Sequence, residues 1–213
     1  MLLKEITKPV TVDTSKVKLS GEMTYKAIEK SIQTAFPEHE VKVETTPDLD
    51  VGEFNMGAEF DIDDKKIIIY PTFSSKAKSI TWTDSGINTF RTLLADVIKH
   101  EQLHKSQYSK RDYIDTSVGI DRRDINYEYM SRPDEIEAYA MNIADELVRK
   151  AGKDGAIDLL RMANKTAQFK DEMGNLLSPN LFAYLGMWKF NSKHPVLKRL
   201  YKKIYQYITE QSS

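Results

Sequence analysis

The sequence predicts an α+β fold in which a small, antiparallel-rich sheet comes first and a helical half follows. Three observations lead there. Strand-like alternation is confined to roughly the first 75 residues, helical spacing dominates from Gly86 onward, and hydrophobic (40%) and charged (30%) residues stand in ordinary globular proportion over 213 residues. No linker-like stretch divides the chain. We therefore expect a single domain over 1–213, with an N-terminal arm at 1–22 and a C-terminal helical extension at 155–213.

In chain order, residues 1–22 read as an irregular arm with short strands at Val10 to Val12 and Val17 to Leu19. Tyr25 to Phe36 has helical spacing, with Ala27, Ile28, Ile32 and Phe36 on one side and Pro37 as the stop. Val41 to Thr45 alternates until Pro47-Asp48. Met56 to Ile62 alternates again, Asp63-Asp64 is a turn signal, and Lys66 to Phe73 is β-branched and aromatic, so the pair reads as a hairpin. Ile87 to about Tyr108 is one long helix, and 109–130 is polar and irregular. Ser131 reads as the N-cap and Pro133 as a first-turn residue of a helix that runs to about Lys150, where Gly152 and Gly155 end it. Further helices are expected at Asp158 to Ala167, Asn180 to Lys189 and Pro195 to Gln211.

Composition removes several function classes. With 31 basic and 32 acidic residues the net charge is −1, so no global field recruits nucleic acid or an anionic membrane. The chain has no cysteine, which excludes disulfides, thiolate metal sites and a cysteine nucleophile. Any metal must then sit on His, Asp or Glu. The N-terminus lacks the apolar run of a signal peptide, and no stretch approaches the roughly 20 apolar residues of a membrane span. The expectation is a soluble protein made in the cytoplasm, a location compatible with later packing into a viral particle or other assembly.

One motif carries chemistry. His100-Glu101-Gln102-Leu103-His104 sets two imidazoles four residues apart, on one face of a helix and one turn apart, where both can bind one ion. Glu101 is displaced toward the same side and can take a proton from a metal-bound water. Zinc suits such an N/O site with an open position. A chance match in a chain this poor in histidine falls at roughly the one-percent level or below, and two of the four histidines are spent here. On a wheel of about 100° per residue, Phe90, Leu93, Leu94, Val97 and Ile98 form an apolar arc. His100, Glu101 and His104 continue it. Lys99, Gln102 and Ser106 point elsewhere, and Lys105 falls at the margin. Polar groups on a buried arc need partners, which an ion and its water would supply.

A catalytic zinc site needs a third protein ligand. The best source is Ser131-Arg-Pro-Asp-Glu-Ile-Glu-Ala-Tyr-Ala140, with Asp134, Glu135 and Glu137 as candidates. The core face marked by Ile136, Ala140, Ile143 and Leu147 is flanked by both glutamates. Ala144 and Val148 extend it toward Glu137, which mildly favours Glu137 as the buried carboxylate.

These two motifs, within roughly residues 65–150, resemble the gluzincin-type zinc metallopeptidases, and most closely the compact group of ImmA/IrrE-like and phage-encoded peptidases. In that group a Pro-x-Glu-x-x-Ala-x-Ala pattern carries the third ligand. Here the pattern is Pro133 to Ala140, so the resemblance implies Glu135, against the wheel. Tyr139 stands where the subgroup has an Asn-x-Phe-Ala stretch. The resemblance implies a sheet packed on a zincin-like helical half, with zinc held by His100, His104 and Glu135. It implies Glu101 as the catalytic base and a protein or peptide as substrate. It also implies that the strand before the metal helix lines the cleft and pairs with extended substrate. Lys66 to Phe73 is the candidate, and Pro71 suits an edge strand. Tyr108, Tyr113, Tyr129 and Tyr139 lie near the motifs, with none singled out as an oxyanion donor.

The remaining features are weaker. Residues 105–130 suit a loop over the cleft. Asp115, Asp121 and Asp124 lack the spacing of an EF-hand. The basic run Lys198, Arg199, Lys202 and Lys203 reads as a solvated helix face, with nucleic-acid binding a minor option. His39 and His194 stand alone. Phe182, Tyr184, Met187, Trp188 and Phe190 suit either a core or an assembly surface. The competing function is a structural or interaction protein, for instance of a phage particle, that keeps a zincin-like fold without catalysis. Zinc-dependent amidase action on cell-wall peptide is a third reading.

Overall fold

A computed structural model describes residues 11–115, 117–165 and 178–210. The chain divides into two compact units, Met1–Ile114 and Asp115–Ser213. The mixed α+β class is as expected, with the strands confined to the first unit.

The first unit opens with a 3-10 turn at Thr14–Lys16, capped by Asp13. Val17 and Leu19 are buried but do not form the expected strand. Side chains take their backbone groups instead. The Ser31 hydroxyl accepts from Lys18 N (2.8 Å) and donates to Lys18 O (2.9 Å), and Arg91 donates to Val17 O (2.8 Å). Residues 11 and 12 are irregular, and Val10 lies outside the described residues. The first strand is β1 (Glu22–Thr24), antiparallel to β6 (Ser79–Thr81). Between them come α1 (Tyr25–Ala35), β2 (Glu40–Val41), β3 (Glu44–Thr46), β4 (Phe54–Asp61) and β5 (Lys66–Ser74). Thr24 caps α1 by accepting from Ala27 N, and Ile28 and Ile32 are fully buried while Ala27 is exposed.

The hairpin stands where Asp63-Asp64 signalled it. Asp61 Oδ1 accepts from the N–H groups of Asp63 and Asp64 (2.9 and 3.0 Å), Lys65 closes the turn at φ 54°, and Asp61 pairs with Lys66. β5, however, is central rather than an edge. β4 pairs antiparallel with it from Phe54↔Phe73 to Asp61↔Lys66, while β2 and β3 pair parallel on its other side. Pro71 is tolerated because it falls in a gap, after β2 ends opposite Ile69 and before β3 begins opposite Thr72. The sheet is thus mixed, and β4 is an edge that pairs with no second strand among the described residues. The strand immediately before the metal-motif helix is β6, and it too is paired.

α2 (Asp84–Ser109) packs on β4 and β5. Phe90, Leu94 and Ile98 are fully buried among Ile28, Ile32, Ile67, Ile69 and Phe73. At about 1.5–3 kcal/mol for each large apolar side chain, this seam fixes the first half of α2 to the sheet.

The second unit contains α3 (Ile125–Met130), α4 (Pro133–Lys165), α5 (Pro179–Met187) and α6 (Pro195–Glu210). α4 packs along α6, with Ile136, Ile143, Leu147, Val196, Leu200, Ile204 and Ile208 all fully buried. Gly152 interrupts α4 at φ 67°, where its end was expected, but helix resumes at once instead of at Asp158. Ala167 and Gln211, the expected ends of two helices, lie outside the described residues.

Of the stretch 105–130, expected as a loop over the cleft, residues 105–109 close α2, and residues 117–130 are held by hydrogen bonds within the second unit. Asp124 caps α3, Gly119 N donates to Glu128 Oε1 (2.9 Å), and Ile120 N donates to Ser131 O (3.2 Å). Ser131 is not the N-cap of α4. It ends α3, is fully buried, and its hydroxyl accepts from Asp121 N (2.8 Å). Tyr184 and Trp188 are buried too, so they are core and not an assembly surface. Tyr184 Oη donates to Met130 O and Trp188 Nε1 to Asp121 Oδ2, both at 3.0 Å. No described helix is long and apolar enough to cross a membrane.

Candidate metal centre

α2 is started by Thr83, whose hydroxyl accepts from Gly86 N (3.0 Å), with Asp84 in the first turn where a negative charge complements the helix dipole. Phe90 meets Phe54 and Trp82 edge-on, at centroid distances of 5.3 and 5.0 Å. The apolar arc then runs through Leu94 and Ile98 into the motif as the wheel predicted. His100, Glu101 and His104 are 7%, 8% and 6% exposed, and Lys105 is exposed. One ligand atom from each of the three lies within 4.8 Å of the others. The two imidazole centroids are 4.8 Å apart at 69°. Two imidazoles and one carboxylate, buried and converging, are a donor set that fits a divalent cation of the zinc type.

Two neighbours on the same helix escaped the sequence reading. Gln107 Oε1 lies 3.0 Å from His104 Nδ1. Asp96 is buried one turn before His100, and its i, i+4 relation to the histidine was a readable signal.

The second motif lies in the other unit. Of its acids, Glu135 is the buried one, at 6% exposure. Glu137, which the wheel favoured for burial, is only half-buried and is engaged with α6. Its Oε1 accepts from Lys203 Nζ (3.0 Å) and Tyr207 Oη (3.3 Å). The wheel erred because the apolar arc it extended toward Glu137 is covered by a helix that itself carries Lys203 and Tyr207. The Glu137 carboxylate in turn adds to burial in holding the Tyr207 hydroxyl pKa far above the ordinary phenol value.

The named tyrosines have packing partners. Tyr108 stacks on Phe60 at 5.9 Å between ring centroids, and Tyr113 lies tilted against the same ring at 6.4 Å. Tyr139 meets Tyr184 edge-on, and Arg132 lies over Tyr129. The Asp121 carboxylate is engaged within the second unit. Arg123 grips its carboxylate through Nε and Nη2, Trp188 donates to it, and these contacts hold its pKa well below the usual carboxylate range. His194 Nε2 lies 3.6 Å from the same carboxylate, and burial holds its pKa down. His39 is buried on Phe36, with its pKa likewise lowered by burial.

Comparison with known protein families, curated proteins and solved structures finds no match to this chain.

Proposed function

We propose that this chain is a zinc-dependent hydrolase of the peptidase class. His100 and His104 are two of the metal ligands, Glu135 is the third, and Glu101 is the general base. The reading is carried by one observation: a buried His-Glu-His set with converging donor atoms, continuing the inward face that Phe90, Leu94 and Ile98 set on the same helix. A purely structural site needs no carboxylate beside its first histidine, and Glu101 is therefore what favours catalysis over a structural role. The pattern at Pro133 to Ala140 and the burial of its side chain favour Glu135 over Asp134 and Glu137, and the engagement of Glu137 with Lys203 and Tyr207 argues further against Glu137.

When bound, zinc supplies a Lewis acid and brings the pKa of its water towards neutrality. The rest is the work of the chain. Glu101, shielded from bulk water, accepts a proton from the attacking water and hands it to the leaving amine. The imidazoles stay in place because Leu94 and Ile98 anchor the turns beneath them. Pairing with an extended substrate, which the resemblance assigned to the strand at Lys66 to Phe73, falls instead to β4, since both sides of β5 are occupied.

The test is metal analysis of the purified protein, His104→Ala and Glu101→Gln, beside cleavage of a broad peptide library. Zinc in wild type and Glu101→Gln, absence from His104→Ala, and cleavage by wild type alone support the proposal. Stoichiometric zinc with no cleavage by wild type points to the structural protein, and absence of zinc from wild type overturns the proposal altogether.

A further inference from the structure

Gln107 follows His104 by three residues, so on α2 the two side chains are neighbours. Helical side chains lean toward the N-terminus, which carries the Gln107 amide back onto the His104 ring. Its Oε1 stands 3.0 Å from Nδ1. An amide oxygen can only accept, so with Oε1 facing the ring the contact is a hydrogen bond when a neutral His104 carries its proton on Nδ1. The lone pair is then on Nε2. The other end of the amide has no competing use, because Gln107 Nε2 is buried and has no hydrogen-bond partner among the described residues. Burying an amide half-satisfied costs stability. A side chain kept there at such a cost suits a role set by the histidine rather than by the fold.

We propose that Gln107 is a positioning residue that selects the Nδ1–H tautomer of His104 and so presents Nε2 as the metal ligand. A free neutral imidazole side chain prefers its proton on Nε2, the wrong nitrogen for this geometry, so without Gln107 each binding event must first change tautomer. The hydrogen bond also fixes the ring about its own axis and makes the ligating nitrogen more basic. The inference rests on the metal reading above as to what the presented nitrogen is for, but the tautomer itself is a property of the metal-free protein.

The experiment uses the full chain, with Gln107→Leu to remove the acceptor and Gln107→Glu to keep an acceptor that cannot donate. Nitrogen-15 shifts of the His104 ring are recorded in the metal-free proteins, at a pH where the ring is neutral. Zinc affinity is measured against a competing chelator. The expected tautomer is Nδ1–H in wild type and Gln107→Glu, with a swing toward Nε2–H in Gln107→Leu. Zinc binding is expected to weaken about 10–100-fold in Gln107→Leu and to stay at wild-type strength or better in Gln107→Glu. A wild-type ring protonated on Nε2 would overturn the proposal, as would a Gln107→Leu protein with unchanged tautomer. Gln107→Glu binding as weakly as Gln107→Leu would also overturn it, since a role in packing alone predicts no rescue by a carboxylate. If wild type binds no zinc, the hydrolase reading fails while the ring shifts still decide the role of Gln107.

Discussion

Replacing Gly119 with alanine should unravel the knot at 117–131. The obstacle is space, not backbone conformation. A Cβ on Gly119 would stand 2.0 Å from Glu128 O and 2.7 Å from Ser131 Oγ, where ordinary contact begins near 3.4 Å. Glu128 O is backbone and cannot swing aside, so the two segments must part by about 1.4 Å, the shortfall between those distances. That parting breaks three hydrogen bonds that cross the gap: Gly119 N to Glu128 Oε1, Ile120 N to Ser131 O and Asp121 N to Ser131 Oγ. At a net contribution of about 1 kcal/mol each, the expected loss is about 3 kcal/mol. With a urea dependence of about 1–3 kcal/mol per molar, the midpoint falls by roughly 1–3 M. Trp188 is the reporter, because its Nε1 donates to Asp121 at the edge of the knot. The chain's other tryptophan, Trp82, lies in the first unit and is changed to Phe in the parent. Gly186 is the control: a Cβ there meets nothing within 4 Å inside α5, so Gly186→Ala should stabilise by about 0.5–1 kcal/mol. A Gly119→Ala midpoint equal to the parent would refute the close approach.

Other predictions concern charge and burial. Glu137→Gln should retain zinc and lose stability through Lys203 and Tyr207, whereas Glu135→Gln should lose zinc; metal-to-protein ratios of the two variants read this directly, and the reverse pattern would restore Glu137 as the ligand. Because the folded pKa of Asp121 is depressed, its stabilising contribution is complete above the ordinary carboxylate value of about 4 and disappears as pH falls below that value. His194, also depressed, acts in the same sense at somewhat higher pH. Urea midpoints of the second unit should therefore drop on acidification, and Asp121→Asn should flatten the lower part of that curve. Tyr201 has a buried hydroxyl with no hydrogen-bond partner among the described residues, and burial pushes its pKa up to about 12. Tyr201→Phe should leave thermal stability unchanged or raise it by about 1 kcal/mol, and a clear loss would show that the hydroxyl has a partner.

What the sequence disclosed was governed by range. The α1 boundaries, the Asp63-Asp64 hairpin and the inward face of α2 depend on residues a few positions apart, and their patterns were legible. The place of β5 was not, because it depends on β2 and β3 returning from more than twenty residues away to pair on both sides of Pro71. Ser131 was misread for a related reason. A serine before Pro-Asp-Glu carries the local chemistry of an N-cap, and only the distant Asp121 backbone shows that the hydroxyl is already engaged. Glu137 looked buried on a wheel that could not include Lys203, which is 66 positions away. Within the candidate site, His100, Glu101 and His104 were evident from spacing. Gln107 was overlooked although its signal was local, since the search sought ligands and not the groups that steer them.

The anchoring of α2 has a thermodynamic corollary. In a small zinc finger the ion gathers its ligands and the binding free energy is folding free energy. Here the two imidazoles ride on successive turns of a helix that Phe90, Leu94 and Ile98 already seat on the sheet. The backbone freedom of this pair is gone before any ion arrives. A cation that bound there would meet donors whose backbone is already ordered by folding, so little of its binding free energy would go into forming the helix, and by linkage it would still stabilise the folded chain.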